Sequence, residues 1–185
     1  MIPLDRPDTV ATIARHSPSG RVPALIDGDL TICDSLAIAE YCAEKFPRAR
    51  LWPEDAKARA VARSICAEMH SGFDALRTHH CMKIKDSLPV SNPRADVKAD
   101  LARLSELWAD ARKKYGKGGP FLFGAWTHAD AFFAPVATRV RTYALPVDAA
   151  AREYLDAVWN DAAVQEWVEG ARRENMIVPR YERGT

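Results

Sequence analysis

Two series of apolar residues at intervals of three and four dominate the chain after Pro53. Ala58, Val61, Ala62, Ile65, Met69, Phe73 and Leu76 form the first, and Leu101, Leu104, Trp108, Ala111 and Tyr115 the second. An α-helix brings residues so spaced onto one face, because a turn takes 3.6 residues. Each series therefore predicts one long helix with a buried stripe, and helices of this kind pack into a bundle. Glu54 and Asp55 suit the start of the first helix, and Gly116, Gly118 and Gly119 end the second. Farther on, Thr127-His128-Ala129-Asp130 has the form of a capping box, with Asp where Glu or Gln is usual. It opens an apolar helix that Pro135 is expected to kink. Two short helices follow, carrying Tyr154, Leu155 and Val158, then Val164, Trp167 and Val168.

Before Pro47 the pattern is short and mixed. Residues 9–15 read as a brief helix, and "PALI" and "LTIC" as two strands with the turn dipeptide Asp27-Gly28 between them. Residues 36–46 read as a second helix, N-capped by Asp34 or Ser35 and stopped by Pro47. Pro23 stands at the head of the first strand, where it gives up a ladder donor. "PRARLWP" is a compact linker in which Leu51 and Trp52 are large enough to pin it to a neighbouring surface. The expected organisation is an α/β unit over residues 1–46, a linker over 47–53 and an all-helical part over 54–185.

The charge balance narrows the function. The 185 residues carry a formal net charge of only +1 and no dense Lys/Arg block, which argues against nucleic acid as the main partner. The start, Met1-Ile2-Pro3-Leu4-Asp5, is interrupted too soon for a signal peptide, and no apolar run approaches the ~20 residues of a membrane span. Cys33, Cys42, Cys66 and Cys81 fit neither a CxxC motif nor a zinc-finger spacing, so reduced thiols in a cytoplasmic protein are expected. His79-His80-Cys81 does not suggest a metal site, because adjacent helical side chains point ~100° apart.

The segments "SPSGRVPALIDGD", "DSLAIAEY", "FPRARLWP" and "THADAFFAP" occur in the order and at the separations seen in the soluble glutathione transferase family, and "AEMHSGFDALR" resembles its bacterial members. The resemblance spans nearly the whole chain. It implies an incomplete thioredoxin-like unit followed by an all-α bundle, a cis bond before Pro23, glutathione as substrate without a metal, and a homodimer. It further implies that Val22, turned outward at Pro23, pairs through its backbone with the peptide-like backbone of glutathione.

Asp34 and Ser35 either cap the helix alone or also hold the γ-glutamyl group. In the second case the helix N-terminus and the Ser35 hydroxyl take the α-carboxylate, and Asp34 takes the α-amino group. Arg21 either pairs with the glycyl carboxylate or stays a solvated cation. The resemblance places Met69, His70, Phe73 and Arg77 along a pocket for the electrophile, although Met69 and Phe73 also belong to the core stripe.

The activity implied is attack of the glutathione thiolate on a small electrophile. A non-catalytic transferase-like module for binding or dimerisation is the alternative. In the family a first strand and helix precede the segment that begins here, and the turn between them carries the catalytic Ser, Tyr or Cys. The chain as written is therefore expected to lack that side chain, and no catalytic residue is assigned within it. If one does lie inside it, Ser17, Ser19 and Cys33 are the first to mutate.

Overall fold

The computed structural model describes residues 2–178 and 181. It divides into two compact units, one of residues up to Leu51 with the segment from Asn175, the other Trp52–Glu174.

In the first unit α1 (Thr9–His16) precedes an antiparallel hairpin, β1 (Ala24–Asp27) and β2 (Leu30–Cys33), and then α2 (Ser35–Lys45) and a 3₁₀ turn (Pro47–Ala49). Asp27 pairs with Leu30, so the loop consists of Gly28 and Asp29, one residue later than the dipeptide expected. Gly28 supplies the positive φ of 64° at the first central position, as a type II′ turn requires. Helix α2 packs on both strands, and the Tyr41 hydroxyl donates to Asp27 Oδ2 at 2.5 Å, with Lys45 paired to the same carboxylate. Val10, Ile26 and Leu30 stay exposed. A lone hairpin under one helix leaves much of its apolar surface uncovered.

The second unit is helical among its described residues: α3 (Ala56–Ser71), α4 (Asp74–His79), α5 (Ala95–Tyr115), α6 (His128–Thr142), α7 (Ala149–Trp159) and α8 (Ala162–Arg173). Helix α6 packs on α3 and α7, and α5 on α3, α4 and α7. Trp108 lies at the centre, edge-on to Phe133 at 5.5 Å between centroids and tilted against Tyr154 at 5.3 Å. Asp55, Asp148 and Asp161 cap α3, α7 and α8 by accepting backbone N–H bonds. The long helix expected over residues 54–77 is broken. Gly72 is extended, Phe73 is left-handed at φ 59°, and α4 starts after them. The break is held from α5, where Asp100 accepts the Leu76 N–H at 2.9 Å and Arg103 grips Glu68 through a fork of 2.7 and 3.0 Å.

Helix α6 runs through Pro135. Its start carries the expected capping box: Thr127 Oγ1 accepts from the Ala129 N–H at 3.3 Å, and Asp130 Oδ2 accepts from the Thr127 N–H at 2.9 Å. Asp130 is fully buried and does more than cap. Its Oδ1 also accepts from the Leu122 N–H at 3.1 Å and the Tyr154 hydroxyl at 3.3 Å. Burial pushes its carboxyl above the ordinary range against the pull of these donors.

Candidate functional site

The hairpin register decides what comes together in the first unit. Because Ala24 pairs with Cys33, the residues just outside the ladder, Val22-Pro23 and Asp34-Ser35, face each other across its end. The Asp34 N–H donates to the Pro23 carbonyl at 3.3 Å and closes that end. The Val22-Pro23 bond is cis, as the resemblance implies. Val22 is 62% exposed, and among the described residues nothing hydrogen-bonds to its N–H or C=O. A strand-edge backbone open in this way is ready to pair with another extended peptide.

Across from it Asp34 is the N-cap of α2. Its Oδ1 accepts from the Leu36 N–H at 2.8 Å and the Ala37 N–H at 3.4 Å, while its own backbone sits at φ 83°. That positive φ is a strained setting for a side chain other than glycine, and the two cap bonds help to hold it. Ser35 is half-buried as the first helical residue, so the cap is Asp34 and not Ser35. Arg21 is exposed beside them, and no acceptor among the described residues takes its guanidinium.

A second cluster adjoins this one. Ser17, 2% exposed, has its hydroxyl 3.4 Å from Cys33 Sγ and 3.0 Å from Ser19 Oγ. Hydrogen bonds from Ser17 first, then from Ser19, hold the Cys33 thiol below its ordinary pKa. Cys33 is therefore expected to react with iodoacetamide with a pH midpoint lower than that of an unperturbed thiol, and Ser17→Ala should raise that midpoint. A pH–rate profile of alkylation, read by mass spectrometry, checks this. A Cys33 midpoint at the free-thiol value would show that the hydroxyls do not hold the thiolate.

The remaining candidates lie in the helical unit. Met69 and Phe73 are each 7% exposed, within the core. His70 and Arg77 are exposed, and Arg77 Nη1 donates to the His70 carbonyl at 3.3 Å and the Gly72 carbonyl at 3.5 Å, across the α3–α4 break. Sequence reasoning saw four residues on one helix here. The structure distributes them over a helix end, a left-handed residue and a second helix. Among the described residues no group of three His, Cys, Asp or Glu could hold a metal, and no helix is long and apolar enough to cross a membrane.

Comparison with known proteins agrees with this layout. The family description "Glutathione S-transferase, N-terminal domain" matches residues 1–45, and "Glutathione S-transferase, C-terminal domain" matches residues 92–172. "Glutathione S-transferase Z1" of Arabidopsis thaliana is 32% identical over 124 residues, 64% of this chain and 54% of that protein. "Maleylacetoacetate isomerase" of Mus musculus is 44% identical over 68 residues, 36% of this chain and 31% of that protein. The chain thus spans about half the length, or less, of these curated relatives. Among solved structures, a glutathione transferase homolog from Burkholderia gl BGR1 with bound glutathione has a TM-score of 0.62 and 27% identity, over 85% of this chain and 77% of that one. With both halves of the pattern matched and a small α/β unit preceding a helical one, the chain belongs to the glutathione S-transferase family.

Proposed function

We propose that this protein binds glutathione at the open end of its hairpin and serves a transferase whose reaction is attack by the glutathione thiolate on a small electrophile. The observation that carries the reading is the exposed, unpaired Val22 backbone set directly opposite the capped start of α2. The Val22 N–H and C=O pair with the peptide backbone of the tripeptide, next to Pro23. The γ-glutamyl carboxylate takes the Ser35 hydroxyl and the positive end of α2, and the α-ammonium takes Asp34. Arg21 holds the glycyl carboxylate. In the chemical step a bond forms between the sulfur and the electrophilic carbon, and the leaving group departs with the electron pair. Stabilising the thiolate is what a transferase adds, and each unit of lowered thiol pKa is worth about 1.4 kcal/mol.

For the electrophile the reading keeps Met69, His70, Phe73 and Arg77, with Met69 and Phe73 as an apolar backing and His70 and Arg77 as a polar rim. A homodimer in the cytoplasm completes it. The test is a titration of glutathione into the ¹⁵N-labelled chain. Binding at millimolar concentration or better, with the amides of Val22, Ser35 and Leu36 moving most, is the expected result. Saturation without movement of those three amides, or no binding at all, overturns it.

A further inference from the structure

Strand β1 is bonded along one side. Asp27 and Leu30 close a two-residue loop and so form a hydrogen-bonded pair, and the alternation of an antiparallel ladder makes Leu25 and Ile32 the next such pair. The Asp34 N–H bond to the Pro23 carbonyl continues the series. The N–H and C=O groups of Ala24 and Ile26 therefore point away from β2. Among the described residues no other strand takes them, and no hydrogen bond outside the ladder reaches either residue. Ile26 itself is 56% exposed. An edge that combines open backbone groups with an exposed apolar side chain is a template for another strand.

Charge decides which strand fits. Arg21 stands four residues before Leu25, and Asp29 four residues after it. Both are exposed, and among the described residues neither side chain has a hydrogen-bond or ion-pair partner. Asp27, by contrast, is held by Tyr41 and Lys45. Two copies of β1 laid antiparallel about a two-fold axis at Leu25 put Arg21 of each opposite Asp29 of the other. In that register Ala24 faces Ile26 of the second copy as a hydrogen-bonded pair, so the open groups of both copies are satisfied. Each Ile26 side chain then lies against Ala24 of the second copy on the same face of the sheet. Pro23, with no N–H to give, falls at a non-hydrogen-bonded position. A shift by two residues sets Arg21 against the occupied Asp27 or against Thr31, and leaves Asp29 without its cation.

We propose that β1 is a self-association edge, on which a second copy of this chain pairs antiparallel through Ala24 and Ile26, with an Arg21–Asp29 ion pair at each end. The two hairpins then form one four-stranded sheet. A two-fold axis perpendicular to that sheet keeps both copies of α2 on one face. The gain is largest where the isolated unit is weakest, because a two-stranded hairpin is marginal and further strands backed by helices stabilise it. The contact is small, so the dimer is reversible. It goes beyond the glutathione reading and does not depend on it.

Sedimentation velocity on the full 185-residue chain, run without glutathione, provides the test. A reversible dimer is expected, half formed at a concentration on the order of 10–100 μM. Ile26→Lys, at an exposed side chain, should weaken it by roughly tenfold or more, since a lysine on an edge strand opposes pairing. Arg21→Glu and Asp29→Lys should each weaken it by roughly tenfold, because each sets like charges opposite one another. The double variant exchanges the two charges and should recover to within about threefold of wild type. The exchange is read by recovery, so a folding defect in one single variant does not imitate it. A chain that stays monomeric to about 500 μM, a dimer indifferent to Ile26→Lys, or a double variant no tighter than the singles overturns the assignment. With no glutathione present, the outcome stands apart from whether the tripeptide binds at Val22.

Discussion

Asp130→Ala is expected to destabilise the helical unit by about 3–5 kcal/mol, the upper end of what single substitutions do. The carboxylate accepts four bonds, from the N–H groups of Leu122 and Thr127 and the hydroxyls of Thr127 and Tyr154. Alanine removes every acceptor at once and leaves buried donors unpaired, at about 1–3 kcal/mol for each that finds no replacement. For a domain of this size that is a fall in Tm on the order of 10–20 °C. Asp130→Asn should fall between, since its carbonyl oxygen serves one side of the network while its NH₂ confronts donors on the other.

The pH dependence has a definite sign. The carboxyl titrates higher in the folded chain than in the unfolded one, so the folded state binds the extra proton just above the ordinary aspartate range. This group's contribution is fully present below the unfolded pKa and is lost as pH rises through the folded value. The stability gap between wild type and Asp130→Asn should therefore be widest in acid and narrow as pH rises through that window. Thermal melts of both proteins across it provide the check, and a gap independent of pH would mean that burial does not raise the group.

How much of this the sequence shows depends on the range of each interaction. The apolar intervals of the second half declare its helices because a stripe is a local property. The same intervals hide the break at Gly72-Phe73, where Met69, Phe73 and Leu76 keep their spacing across a left-handed residue. What holds that break, Asp100 and Arg103, comes from another helix. Thr127 and Asp130 are three apart and read directly as a capping box, whereas Leu122 and Tyr154 reach the same carboxylate through the fold. The hairpin was legible from its turn glycine, but the one-residue shift of the loop is set by pairing across the strands. Ser17 and Cys33 are sixteen residues apart and meet only because α1 ends beside β2.

Ser35→Ala is expected to weaken glutathione binding roughly tenfold to 150-fold, a larger loss than it causes in stability. The loss corresponds to about 1.5–3 kcal/mol for a hydrogen bond to a charged group, here the proposed γ-glutamyl carboxylate. The cap of α2 survives this substitution. Asp34 holds the N-cap, so Ser35 is already a helical residue, and alanine has the higher helix propensity of the two. Asp34→Ala lacks this selectivity. It deletes the acceptor for the Leu36 and Ala37 N–H groups, about 1 kcal/mol or more, and it leaves alanine at φ 83° without the bonds that hold the backbone there. Both its binding and its stability should therefore fall, even if its carboxylate also meets the α-ammonium. Calorimetric titration of each variant beside thermal melts separates the two roles. Ser35→Ala binding as tightly as wild type would remove the hydroxyl from the site, and Asp34→Ala melting like wild type would show that the cap bonds contribute little to the first unit.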